Sequence, residues 1–169
     1  MAFPAKAIAN EFLTIAKNQG DDLTPMKLQK LVYFAHGWYL AVTGKPLISE
    51  DIQAWEYGPV IPSLYKDFRE YGNSPIGFPA TEFKMRDGRA TLFVPLIGNS
   101  GNPEERDTAR QVVQKVWKEY GPYTPARLSN ATHAPDSPWN QVYREGEKNI
   151  PIPSQSIREY FLKVANAGR

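Results

Sequence analysis

The chain has 169 residues, 41% of them hydrophobic and 12% aromatic, a net charge of +2 and no cysteine. That length fits one domain able to bury roughly two-thirds of its unfolded-chain surface, and the lack of cysteine excludes a disulfide framework, a thiol nucleophile and thiolate metal sites, in keeping with a cytoplasmic setting. No apolar run approaches the roughly 20 residues of a membrane span, Met1 to Lys6 shows no secretory pattern, and so small and dispersed a positive charge argues against a phosphate-tracking surface.

Fifteen prolines act as punctuation. Thr24-Pro25, Asn102-Pro103, Thr124-Pro125 and Ser137-Pro138 each pair a capping side chain with proline at a first helical position. The spacing predicts a first helix over about Pro4 to Asn18, with Ile8, Phe12, Ile15 and Ala16 on one face and Gly20 beyond its end. A second helix runs from Pro25 to near Thr43, closed by a left-handed Gly44 cap and by Pro46. Its Leu28, Leu31, Val32, Phe34 and Ala35 make it apolar on most faces, which predicts a buried central helix.

Ile52 to Tyr57 is short, aromatic and alternating, and reads as a strand. Gly58-Pro59 is expected to turn the chain into a third helix carrying Ile61, Leu64, Tyr65, Phe68 and Tyr71, before Gly72. Farther on, Glu82 to Met85 and Thr91 to Val94 flank Asp87-Gly88, a two-residue hairpin signal. Asn102 and Glu105 form a capping box for an amphipathic helix whose face is Ala109, Val112, Val113, Val116, Trp117 and Tyr120, stopped by Gly121-Pro122. Short helices are predicted at about Pro125 to Thr132 and Pro138 to Gly146. A last helix covers about Ser154 to Asn166 and presents Ile157, Tyr160, Phe161 and Val164. With no repeat or long linker, residues 1–169 read as a single compact α+β domain, mainly helical around a buried central helix, with a small antiparallel β element.

Chemistry-bearing groups are sparse. His36 and His133 are the only histidines and lack metal-ligand spacing. His36 shares a helical stripe with Gln29 and Tyr33, suited to a buried polar network. His133, at a helix end, suits the capping of terminal carbonyls. The loop Gly98 to Asn102 lacks the phosphate-loop pattern, and Pro103, Glu104 and Glu105 stand where an anion would sit. Ser100 lacks nucleophile-elbow spacing. No catalytic set, cofactor site or metal site is predicted.

The stretch Thr24 to Trp38, followed by Trp55 to Pro62, resembles the Panacea domain, the SocA-like or GepA-like phage-associated family. Tyr120-Gly121, Leu128 to His133 and Ser137 to Trp139 are similar to later landmarks of that family in the same order. The resemblance implies a single Panacea-like domain acting as an antitoxin. Its partner would be a cognate protein toxin encoded by an adjacent gene, among toxins as unlike as alarmone-synthetase-like enzymes and small membrane-active proteins. One branch of the family delivers its toxin to a Clp-type protease, so blockade and proteolytic delivery are both open.

Candidate partner-binding residues are Trp55, Tyr57, Gly58 and Pro59, because a strand end and a forced turn set aromatics at a fixed edge. Lys30, Tyr33 and His36 from the central helix and Trp139 complete the set. A DNA-binding regulator of its own operon is the rival class. Lys27 with Lys30, Lys66 with Arg69, and the series Arg106, Arg110, Lys115 and Lys118 could each form a basic edge. Glu104, Glu105, Asp107 and Glu119 interrupt the last of these, so nucleic acid is not the expected partner. Neither the oligomeric state nor a membrane role is indicated by these residues.

Overall fold

The structure, a computed structural model, describes residues 1–168. Helix α1 (Ala5–Asn18) precedes α2 (Pro25–Thr43), and a hairpin of β1 (Gln53–Trp55) and β2 (Gly58–Val60) leads into α3 (Pro62–Phe68). A second hairpin, β3 (Glu82–Arg86) and β4 (Arg89–Phe93), comes before α4 (Pro103–Tyr120), α5 (Pro125–Ala131), α6 (Pro138–Val142) and α7 (Ser154–Ala167). This is an α+β architecture dominated by helices, with two separate antiparallel two-stranded sheets.

Helix α2 is its axis. Helices α1, α3, α4, α5 and α7 and strand β2 all pack on it, and every side chain from Lys27 to Tyr39 except the half-buried Trp38 is buried. The four proline-marked starts form as their local chemistry dictates: Thr24, Asn102, Thr124 and Ser137 each accept the amide hydrogen three residues on. Gly44, at φ 71°, donates its N–H to Leu40 O and ends α2 as a left-handed cap. Helix α1 lacks a capping side chain of its own, and the Glu50 carboxylate instead accepts the Ala5 N–H, at 2.8 Å from Oε2.

Helix α7 reaches α2 through a notch at Gly37. A Cβ there would lie 2.2 Å from the Phe161 ring, and that ring makes edge contacts with Tyr33, Phe34, Trp38 and Tyr160 at centroid separations of 5.2–6.0 Å. Helix α4 supplies the opposite wall, where Tyr120 stacks on Phe34 at 4.3 Å and receives the Trp38 indole hydrogen on its hydroxyl at 3.2 Å.

Three boundaries differ from the sequence reading. The predicted strand Ile52–Tyr57 is shorter and belongs to a hairpin, with Trp55 opposite Gly58 and Ala54 opposite Pro59, so the reversal falls on Glu56 and Tyr57. Gly58-Pro59 therefore opens a strand instead of turning into a helix. A proline cannot donate to a ladder, but the last strand of a two-stranded ribbon needs only one bonded edge. Helix α3 starts at Pro62 with Ile61 as its cap, and ends in a 3-10 turn, Arg69–Tyr71. Helix α6 stops at Val142 because Tyr143 turns extended, at ψ 134°. The chain from there must run alongside β1, where Ala54 N–H donates to Ile150 O and Ile152 N–H to Ile52 O.

The β3–β4 ribbon forms as predicted, with Asp87 at φ 51° and Gly88 at φ 75°. Phe83, Met85 and Leu92 leave one of its faces exposed. Its two roots are tied to α1 by the buried Asn10, whose Nδ2 donates to Ala80 O and Pro95 O and whose Oδ1 accepts the Ala80 N–H at 2.7 Å, and by Lys6, which donates to Thr81 O at 3.3 Å and stands 3.9 Å from the Glu82 carboxylate.

Gly37→Ala should destabilise the protein by roughly 1–3 kcal/mol, because a caged aromatic ring cannot move aside. Gly77→Ala, which meets no atom within 4 Å, should stay within about 0.5 kcal/mol of wild type. Urea unfolding curves of both variants test this.

Candidate functional site

The turn from Trp55 to Pro59 is held through four of its backbone carbonyls, which side chains from α2, α6 and the α5 region reach. The Trp139 indole on α6 donates to Trp55 O at 2.6 Å, and Nε2 of His133 lies 3.3 Å from Glu56 O. The Ser129 hydroxyl on α5 donates to Tyr57 O at 2.8 Å, and the Lys30 ammonium on α2 donates to Pro59 O at 3.1 Å. Gln29 fixes the next junction, donating to Ile61 O and accepting the Ile61 N–H at 2.9 Å. Gly58, at φ 113°, lies so close to these braces that a Cβ would stand 2.6 Å from Thr132 Oγ1 and 3.0 Å from Lys30 Nζ.

The braces are themselves positioned. Nδ1 of His133 lies 2.5 Å from Ser129 O, one helical turn back at the end of α5, the terminal-carbonyl role expected of it. Its ring packs 4.0 Å from Trp139, which also stacks on Tyr143 at 4.4 Å. Ser137 caps the short helix that carries Trp139.

What the turn displays is aromatic. Tyr57 is 63% exposed, and Trp55 is half-buried with its ring edge-on to the exposed Tyr65 at 4.9 Å. The exposure of Tyr57 shows that its ring is not enclosed between the strand and the central helix. Behind them, between α2, the β1–β2 hairpin and α3, lies a cavity of about 380 Å³, within the size range of ligand pockets. Its buried lining includes Leu28, Leu64 and Lys30, and Arg69 and Lys148 stand among its exposed lining residues.

Among the residues expected to meet a partner, Trp55, Tyr57, Gly58, Pro59, Lys30 and Trp139 come together here. Tyr33 and His36 do not. Tyr33 is enclosed beside Phe34 and Phe161, and burial, with the nearby Tyr160, pushes its hydroxyl pKa up. The His36 ring accepts the Ile48 N–H on Nδ1 at 3.4 Å. Gln29 and His36 thus share a stripe but each serves a separate backbone segment. Lys30 is 2% exposed, no carboxylate among the described residues pairs with it, and burial pulls its pKa down to about 7. Lys27 is likewise directed inward, onto Gly121 O at the end of α4, so the two lysines of α2 offer no basic edge. The reach of Ser129, Thr132 and His133 to the turn was not legible in the sequence, although their landmark accompanies the Trp55 landmark in the resemblance.

Among the described residues no helix is long and apolar enough to cross a membrane, and no three His, Asp or Glu side chains gather as metal ligands. The fold and the site define a helix-rich α+β domain that holds an aromatic turn rigid at its surface. The chain belongs to the SocA-like antitoxin family with the Panacea domain: the family model described as "Antitoxin SocA-like, Panacea domain" matches residues 28–140. That span contains every brace of the turn. The chain is 30% identical over 148 residues to Antitoxin SocA of Caulobacter vibrioides (strain NA1000 / CB15N), covering 88% of this chain and 74% of that relative. No solved structure matches the chain.

Two outcomes test this geometry. Trp139→Phe keeps a ring beside His133 and Tyr143 but removes the indole bond to Trp55 O, and should cost about 0.5–1.5 kcal/mol in urea unfolding. Burial also pulls the His36 imidazole down to about 4 from its ordinary 6.5. The unfolded chain then binds a proton between those values that the folded chain does not. Stability from the neutral ring is complete above pH 6.5 and is lost as pH falls through this window, by up to about 3 kcal/mol. His36→Gln, which keeps an acceptor, should lose less than wild type between pH 7 and pH 4.5 in chemical denaturation.

Proposed function

We propose that the protein neutralises a cognate protein toxin, encoded beside it, by binding that toxin directly in the cytoplasm, and that it is not an enzyme. Family membership supports the antitoxin role. The observation that carries the direct-contact reading is the Trp55–Pro59 turn, whose backbone is braced by four side chains while Tyr57 remains 63% exposed. Tyrosine and tryptophan recur at interface hot spots, and a turn fixed before binding loses little entropy on docking. Residues 1–169 serve as one recognition unit in this reading.

Co-expression with the adjacent reading frame's product tests it. Wild type should restore growth and copurify with the toxin. Tyr57→Ala touches no core residue and should keep the wild-type melting temperature while weakening the complex at least tenfold, as loss of a hot spot does. No complex and no rescue would overturn the reading. A toxin level that stays constant during rescue supports blockade, whereas a toxin that disappears only when the Clp protease is present replaces blockade by delivery.

A further inference from the structure

The cavity behind the braced turn combines apolar walls with an unmatched set of charges. Leu28, Val60, Leu64 and Phe68 are buried lining residues. Lys30 is lodged among them, and its ammonium, with three donors, makes a single hydrogen bond, to Pro59 O. Arg69 and Lys148 add two exposed cations against one carboxylate, that of Glu56. Lys148 lies over the Trp55 ring at 5.8 Å. A buried amine with spare donors and no carboxylate partner is complementary to an anion, and the apolar walls are complementary to a hydrocarbon or aromatic side chain. The lone Glu56 opposes a second negative charge beside the first.

We infer that this groove receives from the toxin a peptide segment in which an aromatic or large apolar side chain stands next to a single carboxylate, the side chain filling the space among Leu28, Leu64 and Phe68 and the carboxylate pairing with Lys30. The inference rests on the toxin-binding reading and names the chemistry that the site selects. The exposed Tyr57 and Tyr65 beside the groove give a macromolecular partner further surface to cover.

Nuclear magnetic resonance titration of the full chain with three capped dipeptides, phenylalanyl-aspartate, phenylalanyl-asparagine and phenylalanyl-lysine, provides the test. The aspartate peptide should shift amide signals of Leu28, Gln29, Lys30, Tyr57 and Leu64 with a dissociation constant in the roughly millimolar range for so small a probe. Its affinity should exceed that of the asparagine peptide roughly tenfold, with the lysine peptide weakest. Lys30→Met should reduce the aspartate peptide to the asparagine level and leave the asparagine peptide unchanged. Equal affinities for all three peptides, shifts confined to other surfaces, or a preference that survives Lys30→Met would overturn the inference. The wild-type comparison decides even where Lys30→Met fails to fold. Loss of rescue in Tyr57→Ala with no charge preference among the peptides removes only the groove, whereas peptide selectivity with no toxin complex removes only the toxin reading.

Discussion

The structure depends on what the polar side chains of α2 do inside the protein. A helix enclosed by five others would normally be built from apolar residues alone. Here Lys27, Gln29, Lys30 and His36 are buried in it, and each bonds to the backbone of a different non-helical segment: the end of α4, the β2–α3 junction, strand β2 and the loop before β1. Backbone amides and carbonyls in irregular segments cannot find partners within their own element, and leaving one buried and unmatched costs about 1–3 kcal/mol. The central helix supplies those partners, so loops that would otherwise have to remain at the surface pack against the core. The desolvation of Lys30 and His36, visible in their lowered pKa values, opposes that gain.

Close approach is the second requirement. Side chains of limited reach can bond to loop backbone only if the elements lie near, and two glycines provide the room. Gly37 lets α7 seat Phe161 against α2, and Gly58 lets the turn settle onto Lys30 and Thr132. At Gly58 the absent side chain and the left-handed backbone serve one purpose, since an L-residue would be strained by both. Stability and the shape of the displayed turn are thus set by the same contacts.

Elements governed by near neighbours were legible in the sequence. The capping pairs at Thr24, Asn102, Thr124 and Ser137, the Gly44 cap and the Asp87-Gly88 hairpin each depend on residues within a few positions, and each formed. The enclosure of α2 was legible because its apolar residues cover most faces. What escaped depends on distant partners. A lysine reads as a surface residue unless its acceptor is known, and Lys30 finds its acceptor 29 positions away, across the β1–β2 hairpin. Asn10 looks unremarkable in α1, yet its partners are 70 and 85 positions on. The pairing of Gly58 to Val60 with β1 was hidden by a dipeptide that locally favours a turn. Within the site, Trp55, Tyr57 and Trp139 stood out by residue type, whereas Ser129 and His133 had no signal beyond helix-end chemistry and their place in a landmark of the resemblance.

How the turn is braced also limits how it can recognise a partner. An extended peptide that added itself as a strand would need free amides and carbonyls along an edge. From Trp55 to Pro59 three carbonyls already accept hydrogen bonds from Trp139, Ser129 and Lys30, a ring nitrogen of His133 stands 3.3 Å from a fourth, and Pro59 has no N–H to offer. Main-chain pairing is thereby disfavoured, so in the proposed complex contact would fall to the side chains of Trp55, Tyr57 and Tyr65. The β3–β4 ribbon is built in the opposite way. Its backbone is paired strand to strand, its apolar face is open, and Asn10 and Lys6 tie it to α1 at its roots. Few contacts of that kind leave a segment free to open at little free-energy cost, whereas the braced turn cannot shift without breaking bonds to α2, α5 and α6 together. A surface that must keep one shape while it meets a partner is better built like the turn, whose backbone is fixed while its aromatic side chains stand at the surface.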